Sequence, residues 1–240
     1  MKNIALYVGF VSFLAAPLAQ ATVIFQTGFE APTYTTGTLN GQNSWGISPV
    51  PVVESGVANS GSQAVQVAAT GTTGQNLDDH GLSYTAIGNP ENVVTFNIAF
   101  MQSTTGTSSL WDVMAVFGSP AFIGQVLQGN GVATLDGLGS VAVDTGVWND
   151  YQMVLNFTTQ TTTAYVNGQF IANEAFENPA TGLNPFQGIA FGINSSPGTD
   201  TGYFDDLSIV SSAAVPEPSS STLLAIGLAA ATLLIVRKTR

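Results

Sequence analysis

The sequence predicts an all-β fold, an antiparallel β-sandwich, and two patterns carry that prediction. Polar and apolar residues alternate over 93–101 and 151–157, the period of a strand with one buried face. The apolar faces are Val94, Phe96, Ile98 and Phe100 in the first run and Tyr151, Met153, Leu155 and Phe157 in the second. Asn167-Gly168 predicts a tight hairpin, because a type I′ turn requires positive φ at both central residues.

Further strand candidates are short, rich in β-branched or aromatic residues, and bounded by turn residues. They are 64–68, 113–117, 122–127, 163–166, 169–172, 188–193 and 203–210. Many short strands separated by Gly, Asn, Pro and Thr turns favour a sandwich. We therefore assign 22–210 to one β-sandwich domain, which is long enough for a sizeable core.

The distribution of charge excludes one class of function. The only cationic residues are Lys2, Arg237, Lys238 and Arg240, whereas all fifteen Asp and Glu lie between them, for a net charge of −11. A chain without cationic side chains in its body cannot neutralise phosphates, so nucleic-acid binding is excluded. The chain has no Cys, which excludes disulfides, a thiolate nucleophile and a cysteine zinc site.

Both ends of the chain are apolar. Residues 1–21 predict a secretory signal peptide helix, with Lys2 before an apolar run and Ala19 and Ala21 forming a small-x-small cleavage site. At the other end, 211–222 predict a linker, and 223–240 predict a short transmembrane helix with a basic tail. The positive-inside rule keeps that tail in the cytoplasm and the body outside.

The order of features at the C-terminus resembles the PEP-CTERM sorting signal of Gram-negative bacteria. The matching residues are Val215, Pro216, Glu217 and Pro218, followed by the apolar run and then Arg237, Lys238 and Arg240. The resemblance implies export, processing by signal peptidase and an exosortase, and only transient anchoring in the inner membrane. It also implies delivery to the cell surface or extracellular matrix, with extracellular polysaccharide as a partner.

The body resembles the concanavalin A-like (laminin G-like) jelly-roll sandwiches. The matching segments are Thr27-Gly28-Phe29-Glu30, Leu39-Asn40-Gly41-Gln42 with Trp45, Trp148-Asn149-Asp150-Tyr151, Tyr165-Val166-Asn167-Gly168 and Tyr203-Phe204-Asp205-Asp206. The resemblance implies a two-sheet jelly roll that often binds glycans. Exposed aromatic side chains stack on sugar rings in such sites, and we take Trp45, Trp111, Tyr34 and Tyr84 as candidate contacts.

The last predicted strand carries two adjacent aspartates. Alternation places Tyr203, Asp205 and Leu207 on one face and Phe204 and Asp206 on the other, so one carboxylate lies on a buried face. A buried carboxylate requires a partner, and no Lys or Arg is at hand. Backbone N–H donors, His80, protonation and a metal ion remain as solutions.

A structural calcium ion is one of these solutions. Calcium prefers oxygen ligands, which this chain offers in carboxylates, carbonyls and amides. Jelly-roll carbohydrate-binding modules pair an early Phe-Glu with a late Asp-Asp around calcium, and this chain resembles them at Glu30 with Asp205 or Asp206. The alternative is that these carboxylates face solvent at strand ends or cap turns. We expect no other cofactor.

The sequence contains no recognisable catalytic motif, so we expect a non-enzymatic structural or glycan-binding protein. The alternative is a polysaccharide-acting glycoside hydrolase of the concanavalin A-like class, which requires a pair of carboxylates. The related laminarinase-like enzymes use Glu-x-Asp-x-x-Glu. The nearest match here, Glu174-Ala175-Phe176-Glu177, lacks the middle aspartate and the spacing.

We predict that the mature body resists trypsin even when it is unfolded in urea. Trypsin cleaves after Lys and Arg, and no such residue lies between residues 2 and 237. Mass spectrometry of the digest checks this, with a protease of different specificity as the control for unfolding. Discrete internal fragments from pure trypsin would contradict the prediction.

Overall fold

The strands form where the alternation predicts them, and all of their pairings are antiparallel. The computed structural model describes residues 21–46, 51–68, 76–81, 92–103, 109–117, 122–177, 188–195 and 200–213. The strands among them are β1 (Thr22–Thr27), β2 (Gly37–Thr38), β3 (Val52–Glu54), β4 (Ala64–Ala68), β5 (Asn76–Gly81), β6 (Asn92–Gln102), β7 (Leu110–Phe117), β8 (Phe122–Gly129), β9 (Val132–Leu135), β10 (Leu138–Ala142), β11 (Asn149–Asn156), β12 (Thr161–Val166), β13 (Gln169–Ala175), β14 (Gly188–Ser195) and β15 (Thr201–Ala213).

These strands form two sheets that enclose one core. The nine-stranded sheet has the order β13-β12-β11-β6-β15-β4-β3-β2, and β1 pairs with the second half of β15. The six-stranded sheet has the order β10-β9-β8-β7-β14-β5. The predicted antiparallel β-sandwich is confirmed, and so are the strand candidates, most of which extend by one to three residues at one or both ends.

The predicted inward faces of β6 and β11 are buried. Phe96 and Met153 are fully inaccessible to solvent, as are their neighbours on the same faces to within a few per cent. Both strands pair directly, with Phe96 opposite Met153, so the two apolar faces merge into one surface of the core. Alternation in the sequence therefore translates directly into a buried sheet face.

Two-residue turns with positive φ connect neighbouring strands at three places. The predicted hairpin at Asn167-Gly168 is confirmed, with φ of 49° and 74°. Asn130-Gly131 and Asp136-Gly137 have the same conformation and join β8 to β9 and β9 to β10. Asn, Asp and Gly tolerate this left-handed region, which explains why these residues occupy the turns.

Aromatic rings fill the centre of the core. Phe191 of the six-stranded sheet stacks on Phe204 of the nine-stranded sheet at a centroid distance of 4.4 Å. Phe100 packs on Phe204 at a centroid distance of 4.6 Å, and Trp45 packs on Phe191 at 4.9 Å. These rings bring the two sheets together, and contacts of this kind add about 0.5–1.5 kcal/mol per pair beyond area burial.

A chain of polar side chains also crosses the buried interior. The hydroxyl of Tyr151 donates to Gln128, whose amide nitrogen donates to Gln102 Oε1 at 2.9 Å. Gln102 Nε2 in turn lies 3.4 Å from Asp200 Oδ2, which also accepts from the backbone N–H of Ser109. Burial raises the pKa of Tyr151, so its hydroxyl stays a neutral donor. These hydrogen-bonded side chains link β11 and β6 of one sheet to β8 of the other.

The alternation predicted for the last strand is wrong, because β15 contains a β-bulge. Asp205 pairs with Ala99 of β6, but Ser208 pairs with Asn97, so β15 has one extra residue over this interval. Asp206 has a positive φ of 50° at this point. Phe204 and Leu207 are consequently both buried, and Tyr203 faces outward.

The predicted terminal segments lie largely outside the described residues. This applies to 1–20 of the signal peptide, with Ala19, and to the sorting signal and apolar run from residue 214 onward. Strand β15 continues to Ala213, so the first three residues of the predicted linker belong to the strand. No helix that could cross a membrane occurs within the described ranges.

We predict that Gly202→Ala destabilises the core by about 1–3 kcal/mol, the range expected for overpacking. A Cβ at Gly202 would stand 2.7 Å from carbon atoms of both Phe100 and Trp111. Chemical denaturation measures the loss. Gly46→Ala is the control, because a Cβ there meets nothing within 4 Å. Equal stability of the two variants would contradict the prediction.

Candidate functional site

One row of side chains crosses the outer face of the nine-stranded sheet. Register places Phe170 opposite Tyr165, Tyr165 opposite Gln152, Gln152 opposite Asn97 and Asn97 opposite Ser208. Side chains of directly opposed residues point to the same face of a sheet. We call this set the outer row; it runs over β13, β12, β11, β6 and β15.

Hydrogen bonds hold the polar half of the outer row in place. Gln152 Nε2 donates to Asn97 Oδ1 at 2.9 Å, and Asn97 Nδ2 donates to Ser208 Oγ at 3.2 Å. At the other end, the rings of Tyr165 and Phe170 meet edge to face at 5.8 Å. Phe170 is 55% exposed, more than any core aromatic. The outer row thus joins an aromatic pair, of which Phe170 is exposed and Tyr165 half-buried, to a series of hydrogen-bonded amides.

A groove of about 370 Å³ lies beside the outer row. Its walls include Asn59, Asn97, Asp150, Gln152, Tyr165 and Asp206. The groove exists because the neighbouring row contains Ala99 between Asp150 of β11 and the bulge of β15. A methyl group at that position leaves a depression between longer side chains.

The hairpin turn fixes the position of Asp150 at one wall. Asn167 Oδ1 accepts the backbone N–H of Asp150 at 2.9 Å, and the N–H of Asn167 donates to the carbonyl of Asp150 at 2.8 Å. Asn167 Nδ2 also donates to Asn149 Oδ1 at 2.9 Å. The same Asn-Gly turn that joins β12 to β13 therefore orders the rim of the groove.

The opposite wall depends on the bulge and on a loop that the bulge carboxylates hold. Asp205 Oδ2 accepts the backbone N–H groups of Asn59 and Ser60 at 2.9 and 3.1 Å. Asp206 accepts Ser60 Oγ at 2.6 Å and Asn59 Nδ2 at 2.8 Å. Together the two aspartates place Asn59 in the wall of the groove.

Glu30 holds the other end of the same loop. Its Oε1 accepts the N–H groups of Ser62 and Gln63 at 2.7 and 2.8 Å, and its Oε2 accepts Ser62 Oγ at 2.7 Å. A Cβ on Gly61 would stand 2.3 Å from Glu30 Oε1, so this approach requires glycine. We call 59–63 the acid-held loop. Glu30, Asp205 and Asp206 therefore all hold this loop, Glu30 at one end and the two aspartates at the other.

The pKa values of Glu30 and Asp205 are shifted in opposite directions. Burial acts to raise the pKa of Glu30, but the hydrogen bonds from Ser62 and Gln63 outweigh it and hold that pKa below its ordinary value. Burial raises the pKa of Asp205 to about 6, and the neighbouring charge of Asp206 adds to this, against the N–H groups that lower it. The buried carboxylate thus finds backbone donors, one of the four solutions that the sequence leaves open.

The oxygens around the acid-held loop fit calcium only in part. Glu30 and Asp205 direct oxygens at backbone N–H groups, which do not ligate a cation. Asp206 instead faces the hydroxyl of Ser60 and the amide of Asn59, both of which carry oxygen ligands. Within the described ranges, no three His, Asp or Glu side chains are grouped to hold a metal ion. Calcium binding stays a prediction.

Three of the four aromatic residues predicted to contact a glycan are buried in the core. Tyr34 and Trp45 are 1% exposed and Trp111 is inaccessible, so this prediction is wrong for all three. The hydroxyl of Tyr34 accepts from Trp45 Nε1 at 3.1 Å, which satisfies both polar groups inside the core. Tyr84 lies outside the described residues. Burial of a large aromatic side chain in the core stabilises the folded state, which favours the core over the surface for these residues.

The sequence does carry a signal for the aromatic pair that these predictions miss. Tyr165 and Phe170 flank the Asn167-Gly168 turn symmetrically, so pairing across the hairpin places both on one face. Ala164 and Val166 point to the core, which leaves the opposite face of the hairpin to Tyr165 and Phe170. The alternation around the turn therefore identifies the two rings on the outer face.

A second acidic group lies at the edge where the two sheets meet. Asp136, in the turn between β9 and β10, reaches Glu174 of β13 and Glu177. Burial raises the pKa of Asp136 to about 7, and Glu174 adds to the rise. Burial and the charge of Asp136 likewise raise the pKa of Glu177. The turn between β9 and β10 thus brings Asp136 next to Glu174 and Glu177, a contact that sequence spacing does not reveal.

Comparison with known proteins gives the C-terminal segment a definite assignment. A family model described as the PEP-CTERM protein-sorting motif matches residues 214–238. The chain carries a PEP-CTERM sorting motif. This motif implies exosortase processing during export and a place at the cell surface. Among curated proteins, none matches the chain.

Solved structures resemble the body in fold. The cellulose-induced protein Cip1 is 18% identical with a TM-score of 0.56, over 80% of this chain and 97% of Cip1. A carbohydrate esterase from the Shiga toxin-encoding bacteriophage phi24B is 12% identical with a TM-score of 0.55, over 80% and 99%. The binding domain of Paraclostridial Mosquitocidal Protein 1 is 11% identical with a TM-score of 0.50, over 84% and 51%. At these identities the likeness shows a shared sandwich fold.

We predict that Asp136→Asn stabilises the protein at pH 8 by about 1–2 kcal/mol, allowing for solvent screening, and loses this advantage at pH 4. The raised pKa means that Asp136 favours the folded state at low pH, and this contribution disappears as pH rises through about 7. Asn tolerates the φ of 47° at this turn. Denaturation at both pH values measures the effect, with the exposed Asp144→Asn as the control. An advantage that does not depend on pH would contradict it.

We predict that calcium raises the melting temperature of the protein relative to EDTA. At a hundredfold excess over Kd the gain is about 2.7 kcal/mol, or roughly 5–10 °C for a domain of this size. Asp206→Asn abolishes the shift and Asp144→Asn preserves it. A melting temperature that is the same in EDTA and in excess calcium would refute the calcium prediction.

Proposed function

We propose that this protein is an exported surface protein whose nine-stranded sheet binds extracellular polysaccharide without cleaving it. The sorting motif at 214–238 supports the destination. The outer row and the groove beside it support the activity, because they combine a pair of aromatic rings, the exposed Phe170 and the half-buried Tyr165, with ordered amides. The juxtaposition of these two kinds of side chain is the observation that carries the proposal.

The chemistry of a sugar matches both halves of the outer row. One face of a pyranose ring presents C–H groups that pack on an aromatic ring, and Phe170 offers such a ring at the surface. The hydroxyl groups of the sugar donate and accept hydrogen bonds, as do the amides of Gln152 and Asn97. Three strand spacings separate Tyr165 from Ser208, about 14 Å, which accommodates a short stretch of a glycan chain.

The groove is ordered before the ligand arrives. The amides hydrogen-bond each other, the Asn-Gly turn fixes Asp150, and the acid-held loop fixes Asn59. A site whose side chains are already in place loses less conformational entropy on binding. Because the protein side of the site is already ordered, the entropy cost of binding comes mainly from the flexible glycan chain.

A hydrolase remains the second candidate, and the acidic group at the sandwich edge favours it. General acid catalysis at neutral pH requires a carboxylic acid that keeps its proton, and the pKa of Asp136 is raised to about 7. Glu174 and Glu177 lie within its reach as the second carboxylate. On this reading, the segment 174–177 and the turn at 136 would together cleave a glycosidic bond.

Two measurements on the full chain in detergent separate the candidates. Sedimentation with insoluble polysaccharides measures binding, and a reducing-sugar assay on the supernatant measures cleavage. Binding without release of reducing ends supports a binding protein. Release that Glu174→Gln abolishes, with binding intact, supports the hydrolase and overturns the non-enzymatic proposal.

We predict that Phe170→Ala weakens glycan binding about tenfold, or about 1.4 kcal/mol, because the stacking surface is lost. Leu138→Ala is the matched control, because Leu138 is 50% exposed against 55% for Phe170 but lies in β10 of the other sheet. Titration of a soluble oligosaccharide measures both affinities. Equal affinities in the two variants would exclude the outer row as the binding site.

A further inference from the structure

The groove beside the outer row is negatively charged. Asp150 forms one wall with an exposed side chain, and Asp206 forms the other. The sequence places no Lys or Arg between residues 2 and 237, so no side chain of the body offers a permanent positive charge to these carboxylates. A ligand that enters the groove therefore meets carboxylates without a cationic counterpart.

Asp150 and Asp206 line the groove from strands on either side of Ala99. Asp150 pairs with Ala99, and Ala99 pairs with Asp205, the residue before Asp206. Two strand spacings, about 10 Å, therefore separate the backbones that carry Asp150 and Asp206. A small cationic group above the methyl of Ala99 would lie between them, close to both.

The position of each carboxylate is set by the surrounding structure. Ser60 and Asn59 donate to the two oxygens of Asp206, which orients the group without neutralising its charge. Asn167 holds the backbone of Asp150 through two hydrogen bonds. Fixed charges attract a cation more effectively than mobile ones, because no ordering cost accompanies binding.

We propose, resting on the glycan-binding function above, that the groove selects amino sugars, glycans whose rings carry a free, protonated amine. The amine lies above Ala99 and donates to Asp150 and Asp206, while the ring packs along Tyr165 and its hydroxyls meet Gln152 and Asn97. A uronic acid polymer is repelled by the same carboxylates. A neutral sugar binds through the row alone, more weakly.

The test compares three oligosaccharides of equal length and linkage that differ at one ring position. They carry a hydroxyl, an acetamido group or an amine there, as in glucose, N-acetylglucosamine and glucosamine oligomers. Calorimetric titration of the full chain in detergent at low ionic strength measures each affinity. We expect the amine to bind about tenfold more tightly than the other two, and this preference to shrink as salt screens the charges.

Variants assign the preference to the groove. Asp150→Asn should bring the affinity ratio between the amine and the hydroxyl oligosaccharides, both measured on that variant, close to one. Asp144→Asn removes the same charge from an exposed residue that does not line the groove, and it should leave all three affinities unchanged. Tyr165→Ala should weaken all three ligands by the same factor.

Other results overturn one proposal or the other. Equal affinity for the three oligosaccharides, or a preference that survives Asp150→Asn, overturns the selection of amino sugars and leaves glycan binding intact. Competition by a linear polyamine as strong as that by the glucosamine oligomer also overturns it, because charge alone would then explain the binding. Failure of all three to bind, or indifference of all three to Tyr165→Ala, overturns the glycan site itself.

Discussion

Because the body lacks cationic side chains, its carboxylates that are shielded from water depend on neutral donors or on a proton, and much of the structure follows from this constraint. Glu30, Asp205 and Asp206 converge on N–H and O–H groups of residues 59–63. Asp200 accepts from Gln102 and a backbone N–H inside the core. A carboxylate that accepts several N–H groups is stabilised without a countercharge. Elsewhere burial raises the pKa, as at Asp136.

The same constraint shapes the groove. Because the two aspartates of the bulge hold the acid-held loop, the loop places Asn59 in the wall of the groove, which Asp206 also lines. Asp206 therefore has two effects: it orders the acid-held loop, and it adds a carboxylate to the groove. Substitution of Glu30 or Gly61 would alter the groove although neither residue lines it. Both residues hold the acid-held loop, and Asn59 of that loop lines the groove.

Local patterns predict the sheet well and the site poorly, for physical reasons. The alternation at Phe96 and Met153 and the turn at Asn167-Gly168 depend on short-range geometry that a sequence displays directly. The bulge at Asp206 depends on tertiary contacts with residues far away in the sequence, so simple alternation fails there. The residue type of Trp45 and Trp111 fits either a surface site or the core, and only the packing of the two sheets determines that both are buried. Asp136 meets Glu174 because β10 packs on β13, with Gly139 directly against the backbone of Ile171.

The long pairing of β15 has a mechanical consequence. This strand carries Ser208 of the outer row, borders β6 from Gly202 to Ala213, and leads directly into the residues of the sorting motif. A pull on the C-terminus is therefore directed along the strand, across its hydrogen bonds with β6 and β1. Such a load shears many bonds at once, whereas a load at right angles would open them one by one. If the protein is held at its C-terminus while the outer row binds a polymer, tension between the two attachment points would be carried by β15, which contains Ser208 and precedes the sorting motif.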